Sequence, residues 1–360
     1  MKILFTKEKY WLDKWDEFVI ANSDGSHLVL SDWLKSYQSY GFDFEVGLYI
    51  ENEEIIGGYG AVIPKLSFFK FYIIPYVPLL LNENNLVLPQ IIEAAINRSN
   101  FLKTSCLQIA SPSLLKFEKD IYYSKYLKKH SFKKGNRFKY VFSFTGLNWL
   151  DLKKYNTIDD LLLDFKSSVR RDIRSAERKG VTISYAVTYN EIERAYKICL
   201  ENAQKANYGL RDWNDIKETI VDLIEKGIAK FIVGTKDNEV KGAIFIIKAG
   251  GYYTYILGGT KKEKPDLLVG HLLQWEAIKL SFLEKNKGYN LSLGGSKGVQ
   301  DFKNGFNTKQ ILAEDSAYYL INNSLLFSIY VFFEKYMKPH KRAMAKILAS
   351  IKRLKNESRK

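Results

Sequence analysis

Two segments of this chain repeat one another at a fixed offset of 185 residues. Residues 46–59 read V-G-L-Y-I-E-N-E-E-I-I-G-G-Y, and residues 231–243 read F-I-V-G-T-K-D-N-E-V-K-G-A. Glu54 aligns with Glu239, Ile55 with Val240 and Gly57 with Gly242. Each copy is an apolar strand, a polar turn and a second apolar strand with glycine near its start. That alternation and turn chemistry predict a β-hairpin. Each copy follows a helical pattern and precedes further strands, at 71–81 and at 252–257. Helical patterns over 87–97 and 267–286 come next, then strands at 105–110 and 289–293. Such a chain is expected to be an α/β protein of two domains with one plan and mixed sheets. Its 360 residues also exceed one ordinary domain.

The boundary is expected near 147–151. A strand over 139–145 precedes it, and Thr157-Ile158-Asp159-Asp160 opens a helix with a threonine cap and acids in the first turn. The first domain then covers 1–147 and is completed by about 316–335. The second covers 148–315, and 336–360 form a basic amphipathic tail.

The chain carries 55 Lys+Arg against 40 Asp+Glu, a net charge of +15. The excess is local. Residues 334–360 hold ten basic side chains and two glutamates, and residues 166–179 hold six against two. Anionic partners are implied: nucleic acid, phosphates or a membrane surface. An apolar share of 46% excludes wholesale disorder, and two cysteines in apolar stretches exclude a disulfide framework. The N-terminus lacks a signal-peptide core, so the chain is expected in the cytoplasm. The most apolar run, 325–333, has nine residues, whereas a spanning helix needs roughly 20. Beyond it, Met344, Ile347, Leu348, Ile351 and Leu354 recur at helical spacing among Lys346, Lys352, Arg353 and Lys355. That pattern suits a helix lying on an anionic leaflet, at the inner membrane face; a solvated tail is the alternative.

The four histidines, at 27, 130, 271 and 340, share no metal-ligand spacing, so no metal site is expected. No nucleophile elbow or P-loop is present, and His271 reads as a core or capping residue. What remains is direct transfer between two bound substrates, with positioning and oxyanion stabilisation supplying the rate. The densest stretch for that work is 291–306, L-S-L-G-G-S-K-G-V-Q-D-F-K-N-G-F. A strand runs into two glycines and a loop, and Lys303 between Phe302 and Phe306 would hold a charge in a partly apolar setting. A plain turn with an exposed lysine explains the same residues equally well. Tyr253 and Tyr255 share a strand face and could line a cleft, though core packing is the stronger reading of an isolated Tyr-x-Tyr. Arg170, Arg174 and Arg178 form one helix stripe ending at Gly180, suited to phosphates.

Together these residues resemble the FemABX peptidyltransferases, tandem GNAT-like proteins that add amino acids from aminoacyl-tRNA to peptidoglycan precursors. The likeness spans roughly residues 10–320 and matches the arm-less branch. It rests on Trp33-Leu34-Lys35 with Gly41-Phe42, the first hairpin, the helix V-R-R-D-I-R-S-A-E-R-K-G-V (169–181), and Gly209-Leu210-Arg211. It continues with Tyr253-Thr254-Tyr255, Leu293-Gly294-Gly295 and Phe302-Lys303-Asn304-Gly305-Phe306. The resemblance implies that Lys35 and Arg211 contact acceptor phosphates, and that Lys303, flanked by Phe302, stabilises the tetrahedral intermediate. It implies that Tyr253 and Tyr255 line the channel, while Arg170, Arg171, Arg174 and Arg178 are candidates for tRNA contact on their charge.

Three positions depart from the family's pattern. Tyr76 stands where a cation is usual, and Ser111 and Ser292 stand where acids are usual. All three bear on acceptor binding and the general base. The leading expectation is transfer of an amino acid from aminoacyl-tRNA to an amine of a cell-envelope precursor, with no cofactor. An N-acyltransferase fed by acyl-CoA or an acyl carrier is the alternative, although 258–270 (G-G-T-K-K-E-K-P-D-L-L-V-G) matches a pyrophosphate loop poorly. A non-catalytic binding protein is the third.

Overall fold

The computed structural model describes residues 2–66, 69–81, 87–110, 117–312 and 317–337. The first half runs β1 (Lys2–Thr6), α1 (Lys9–Ala21), α2 (Ser31–Lys35), β2 (Asp43–Glu51), β3 (Glu54–Ile63), β4 (Lys65–Leu66), β5 (Phe69–Ile74) and β6 (Leu79–Leu80). It continues with α3 (Val87–Phe101), β7 (Cys106–Ala110), α4 (Phe117–Lys129) and β8 (Lys133–Lys134). The second half runs β9 (Gly146–Asp151), α5 (Ile158–Leu163), α6 (Ser167–Arg178), β10 (Thr182–Ala186), α7 (Tyr189–Lys205), α8 (Trp213–Glu225) and β11 (Ala229–Lys236). Then come β12 (Glu239–Ala249), β13 (Tyr252–Thr260), α9 (Val269–Leu283), β14 (Gly288–Asn290), α10 (Lys297–Asn304) and β15 (Lys309–Leu312). After these follow β16 (Ala317–Ile321) and α11 (Ser324–Phe332).

The strands form two sheets of one plan, ordered β1-β2-β3-β5-β7-β16-β8 and β10-β11-β12-β13-β14-β9-β15, with β4 and β6 paired at the side of the first. In each sheet four antiparallel strands lead to a parallel pair, β5 with β7 and β13 with β14. The hairpin repeat holds down to its irregularities. Its turns, Asn52-Glu53 and Asp237-Asn238, place both residues at positive φ. That is the two-residue turn whose twist matches the strands. Tyr49 faces Gly57 and Ile50 faces Ile55, while Gly234 faces Gly242 and Thr235 faces Val240. Each hairpin therefore carries a bulge at the same place, with Ile56 and Lys241 as the extra residues.

Sheet membership changes at Gly146 and changes back at Ala317. The strand expected over 139–145 is instead unpaired chain, and the strand lies at 146–151. A buried side chain explains why this segment needs no ladder. Gln108 Oε1 accepts from the backbone N–H groups of Arg137 and Phe138, and its amide Nε2 donates to Asn136 and Ser143. Asn290 occupies the corresponding place in the second sheet, and its Oδ1 accepts from the N–H groups of Asn148 and Ser292. Each parallel pair thus carries a buried amide that ties down neighbouring chain.

The helices are set by capping and by their apolar faces. The threonine cap before α5 forms as expected, with Thr157 accepting from Asp160 N and Asp160 reaching back to Thr157 N. The two halves share a core in which Trp15, Leu34 and Tyr37 join Tyr196, Trp213 and Phe231. Ionic contacts reinforce that junction. Lys226 of α8 reaches Asp32 at 2.5 Å and Asp16 at 3.9 Å. Burial raises the Asp16 carboxyl to about 6 despite two hydrogen bonds from Ser31.

Candidate functional site

The two parallel pairs differ in one respect that creates a cavity. β13 pairs with β14 only from Tyr252 to Thr254, then continues to Thr260 without a partner on that side. The strands splay, and the gap holds a cavity of about 200 Å³ lined by Tyr255, Gly258, Gly259, Thr260, Gly270, Gln274, Leu291, Phe302 and Lys303, among others. Glycine is needed at 259 because a Cβ there would lie 2.7 Å from Ile198 O on α7. Helix and strand backbones therefore meet directly along one wall.

Lys303 is the charge in this cavity. Residues 297–304 form the helix α10, which begins inside the loop expected between the two glycines and Asp301. The helix turns Lys303 inward, where the residue is only 6% exposed. Its ammonium donates to Ser292 O at 2.9 Å and Gly294 O at 3.2 Å. Both acceptors lie on a left-handed stretch, with Ser292 at φ 57° and Gly294 at φ 82°. That region favours glycine, and the carbonyls of the two residues meet at the one ammonium. Ser292 is further held by its hydroxyl, which donates to Tyr255 O. Among the described residues no carboxylate lines the cavity, and burial pulls the lysine down to about 8. The Tyr255 ring centre lies 6.0 Å from the ammonium. Phe302 packs its edge on His271 at 4.8 Å and on Phe306 at 5.3 Å, which fixes α10 against α9. His271 Nε2 in turn lies 3.8 Å from Asp172 on α6.

The residues singled out in the sequence divide among several places. Lys303, Phe302, Tyr255 and Ser292 come together here. Tyr253 does not line this cavity; it is buried below it and donates to Glu284 at 3.1 Å. The core reading of that tyrosine holds. Lys35 lines a separate cavity of about 190 Å³ together with Asp215, Glu218 and Asp222 of α8. A phosphate there would face three carboxylates. Arg211 is not part of that lining. It clips the two halves together, donating to Ser36 Oγ at 2.7 Å and lying over the rings of Tyr37 and Tyr40. Tyr76 lies in a third cavity, between the halves, with Trp149, Tyr252 and Lys287. Ser111 lies outside the described residues.

The arginine stripe is likewise divided. Arg170 spends its guanidinium on the carbonyls of Leu163 and Phe165 at the end of α5. Arg171, Arg174 and Arg178 remain exposed along a groove of about 620 Å³ on α6. α6 itself packs on α9, the helix whose Gly270 and Gln274 line the Lys303 cavity. Sequence reasoning missed Gln274, Asn202 and the Gly294 carbonyl. The first two sit on helices without a motif, and the third is a backbone group that no side chain reports.

Known proteins share this architecture. Residues 164–304 match the family model of an acetyltransferase (GNAT) domain. The chain superposes on FemX with a TM-score of 0.74 at 14% identity, over 91% of this chain and 99% of that one. A domain assigned to a lysylphosphatidylglycerol synthetase of Agrobacterium fabrum gives 0.55 at 10% identity, over 89% and 96%. A tandem GNAT protein from the clavulanic acid biosynthesis pathway gives 0.52 at 10% identity, over 89% and 99%. No curated protein matches the chain in sequence. The chain thus has the tandem GNAT fold of FemX, and most of its second half, residues 164–304, matches the acetyltransferase domain model.

Proposed function

We propose that this protein transfers an aminoacyl group from aminoacyl-tRNA to an amine of a cell-envelope precursor, without a cofactor, at the cytoplasmic face of the membrane. The observation that carries the reading is the Lys303 ammonium, buried at a splayed strand pair with carbonyl partners and, among the described residues, no counter-ion. The acceptor nitrogen attacks the carbonyl carbon of the aminoacyl ester, and the new C–N bond drives negative charge onto the carbonyl oxygen. An ammonium held in a low-dielectric cavity stabilises that oxygen more than it would in water. The intermediate then collapses and the bond to the ribose oxygen breaks. The proton lost by the amine ends on that oxygen. A lysine poised near 8 can give one proton and regain the other at little cost near neutral pH. The exposed ridge of Arg171, Arg174 and Arg178 on α6, a helix packed on α9, supports a donor with a phosphate backbone.

A second reading, an acyl-CoA donor, has its own support. Gly270, in the first turn of α9, lines the cavity, and a helix N-terminus suits a pyrophosphate. Purified protein supplied with labelled aminoacyl-tRNA or labelled acetyl-CoA, together with an extract of envelope precursors, separates the two. RNase-sensitive transfer is expected; transfer from acetyl-CoA alone would overturn the tRNA reading.

A further inference from the structure

Resting on the transfer proposed above, we infer that Gln274 is a second donor to the reacting carbonyl oxygen, and that Tyr289 positions it. The role is the same for an aminoacyl ester and for a thioester.

The need for a second donor follows from Lys303 itself. An ammonium has three N–H groups. Two of them already donate, to Ser292 O and Gly294 O. One remains for an incoming oxygen. The oxyanion of a tetrahedral intermediate has lone pairs for more than one donor, and in a cavity closed to bulk water the protein must supply them.

Gln274 meets that need. It lies on α9 one turn beyond Gly270, and both residues line the cavity. The residue is only 2% exposed. Tyr289 of β14 is fully buried, and its hydroxyl donates to Gln274 Oε1 at 2.9 Å. That bond fixes which way the amide faces. Among the described residues the Tyr289 hydroxyl has no other acceptor, so a reversed amide would leave a buried O–H without a partner. The oxygen is held on Tyr289, and the NH₂ group is turned away from it. Nε2 donates to no group among the described residues, and it is not one of the side-chain nitrogens sealed from solvent without a partner. The space that the residue borders is the Lys303 cavity. A buried amide with a locked oxygen and an unspent NH₂ group at a cavity is a donor kept for a ligand.

The other polar side chains of the cavity are not set in this way. Asn202 donates its Nδ2 to Tyr208 at 3.4 Å. Tyr255 and Thr260 carry hydroxyls that rotate and can donate or accept. In the step itself the amine nitrogen bonds to the carbonyl carbon, and the π pair moves onto the oxygen, where Lys303 and Gln274 N–H groups hold it. The pair returns as the bond to the ribose oxygen or thiol sulfur breaks, and the proton lost by the nitrogen ends on that atom. Gln274 gives up no proton.

Steady-state kinetics in the transfer assay, together with NMR of labelled lysine, test this. Gln274→Met should lower kcat about 10- to 100-fold with KM nearly unchanged, since the donor acts on charge that develops in the transition state. Tyr289→Phe should lower kcat about 5-fold with KM again unchanged, because the amide is then free to turn. Gln274→Glu keeps an oxygen for Tyr289 and so keeps the fold. It places a carboxylate where the donor stood, and the Lys303 ammonium should titrate about one pH unit or more higher, with no substrate present. A wild type that transfers from neither aminoacyl-tRNA nor acetyl-CoA would overturn the transfer reading, and this role with it. An active wild type matched within about 3-fold in kcat by Gln274→Met would overturn this role alone. So would a rise in KM with kcat intact, or a Lys303 titration that Gln274→Glu does not move.

Discussion

The two sheets share a hairpin down to its turn and its bulge, yet only the second opens at its parallel pair. Register relates them residue by residue. Val62 faces Ile73 in the first sheet, and Ile247, 185 positions later, faces Thr254 in the second. Tyr72 therefore corresponds to Tyr253, and Ile74 to Tyr255. The deeper pair behaves alike in both halves, each tyrosine donating its hydroxyl to a glutamate, Tyr72 to Glu45 at 2.8 Å and Tyr253 to Glu284 at 3.1 Å. The next position differs. β5 ends at Ile74 with its ladder to β7 intact, while β13 runs six residues past its ladder to β14.

Polar chemistry follows the same division. In the first sheet the buried charge is matched: Glu45 receives Arg98 in a two-point pair at 2.9 and 2.6 Å, and Tyr72 as well. In the second, the Lys303 ammonium has carbonyl partners only. A matched pair holds a fold together, and an unmatched charge facing a cavity is available to a reacting group. One plan thus supplies a matched charge network in one half and the candidate site in the other.

The comparison can be broken at four points. Lys303→Met should cut turnover at least 100-fold, read by the transfer assay, because a buried oxyanion partner is removed. The same variant should melt no lower than wild type, and about 1 kcal/mol of added stability is expected once the desolvated ammonium is gone. A rate within a few-fold of wild type would remove Lys303 from the chemistry. In the first half, Glu45→Gln should cost about 2 kcal/mol in denaturant unfolding, since Arg98 loses a buried partner, and should leave KM unchanged. A strong effect on KM with stability intact would make that network part of the site.

Tyr255→Ile places the first sheet's residue in the second. It should lower kcat/KM about 10-fold with only a modest cost in stability, because it strips one wall from the cavity while Tyr255 packs only at the margin of the core. The smallest expected effect is in pH. Lys303 titrates near 8 in the fold and at its ordinary 10.5 when unfolded, so the unfolded chain binds more protons between those values. Fold stability should therefore gain a rising component from pH 8 to 10.5, and transfer should decline above pH 8 as the ammonium is lost. Both components should vanish in Lys303→Met; their persistence would assign the titration to another group.

Much of this arrangement was legible in residue order. The hairpins are local, and Asn52-Glu53 and Asp237-Asn238 announce their turns through residues that tolerate positive φ. The cap at Thr157 and the helix of residues 167–178 were equally local. Boundaries suffered where long-range partners decide. Residues 139–145 are apolar and aromatic enough for a strand, but the buried amide of Gln108 holds the chain just before them outside any ladder. Within 291–306, propensity did not separate loop from helix, and packing of Phe302 on His271 and Phe306 favours the helix. Among the site residues, Lys303 and Phe302 were found through their aromatic setting. Arg170, Arg211 and Lys35 look alike as cations. Only their surroundings distinguish a helix-end clip, a clip between the halves and a lysine among carboxylates.

The sequence by itself determined the duplicated plan and the placing of charge, because hairpins, caps and charge runs depend on neighbours in the chain. Tertiary structure alone decided where β13 and β14 part and which cation is left without a counter-ion. Both depend on backbone groups and side chains brought together from strands and helices far apart in the chain, and the free energy of a buried ammonium is set by everything that surrounds it.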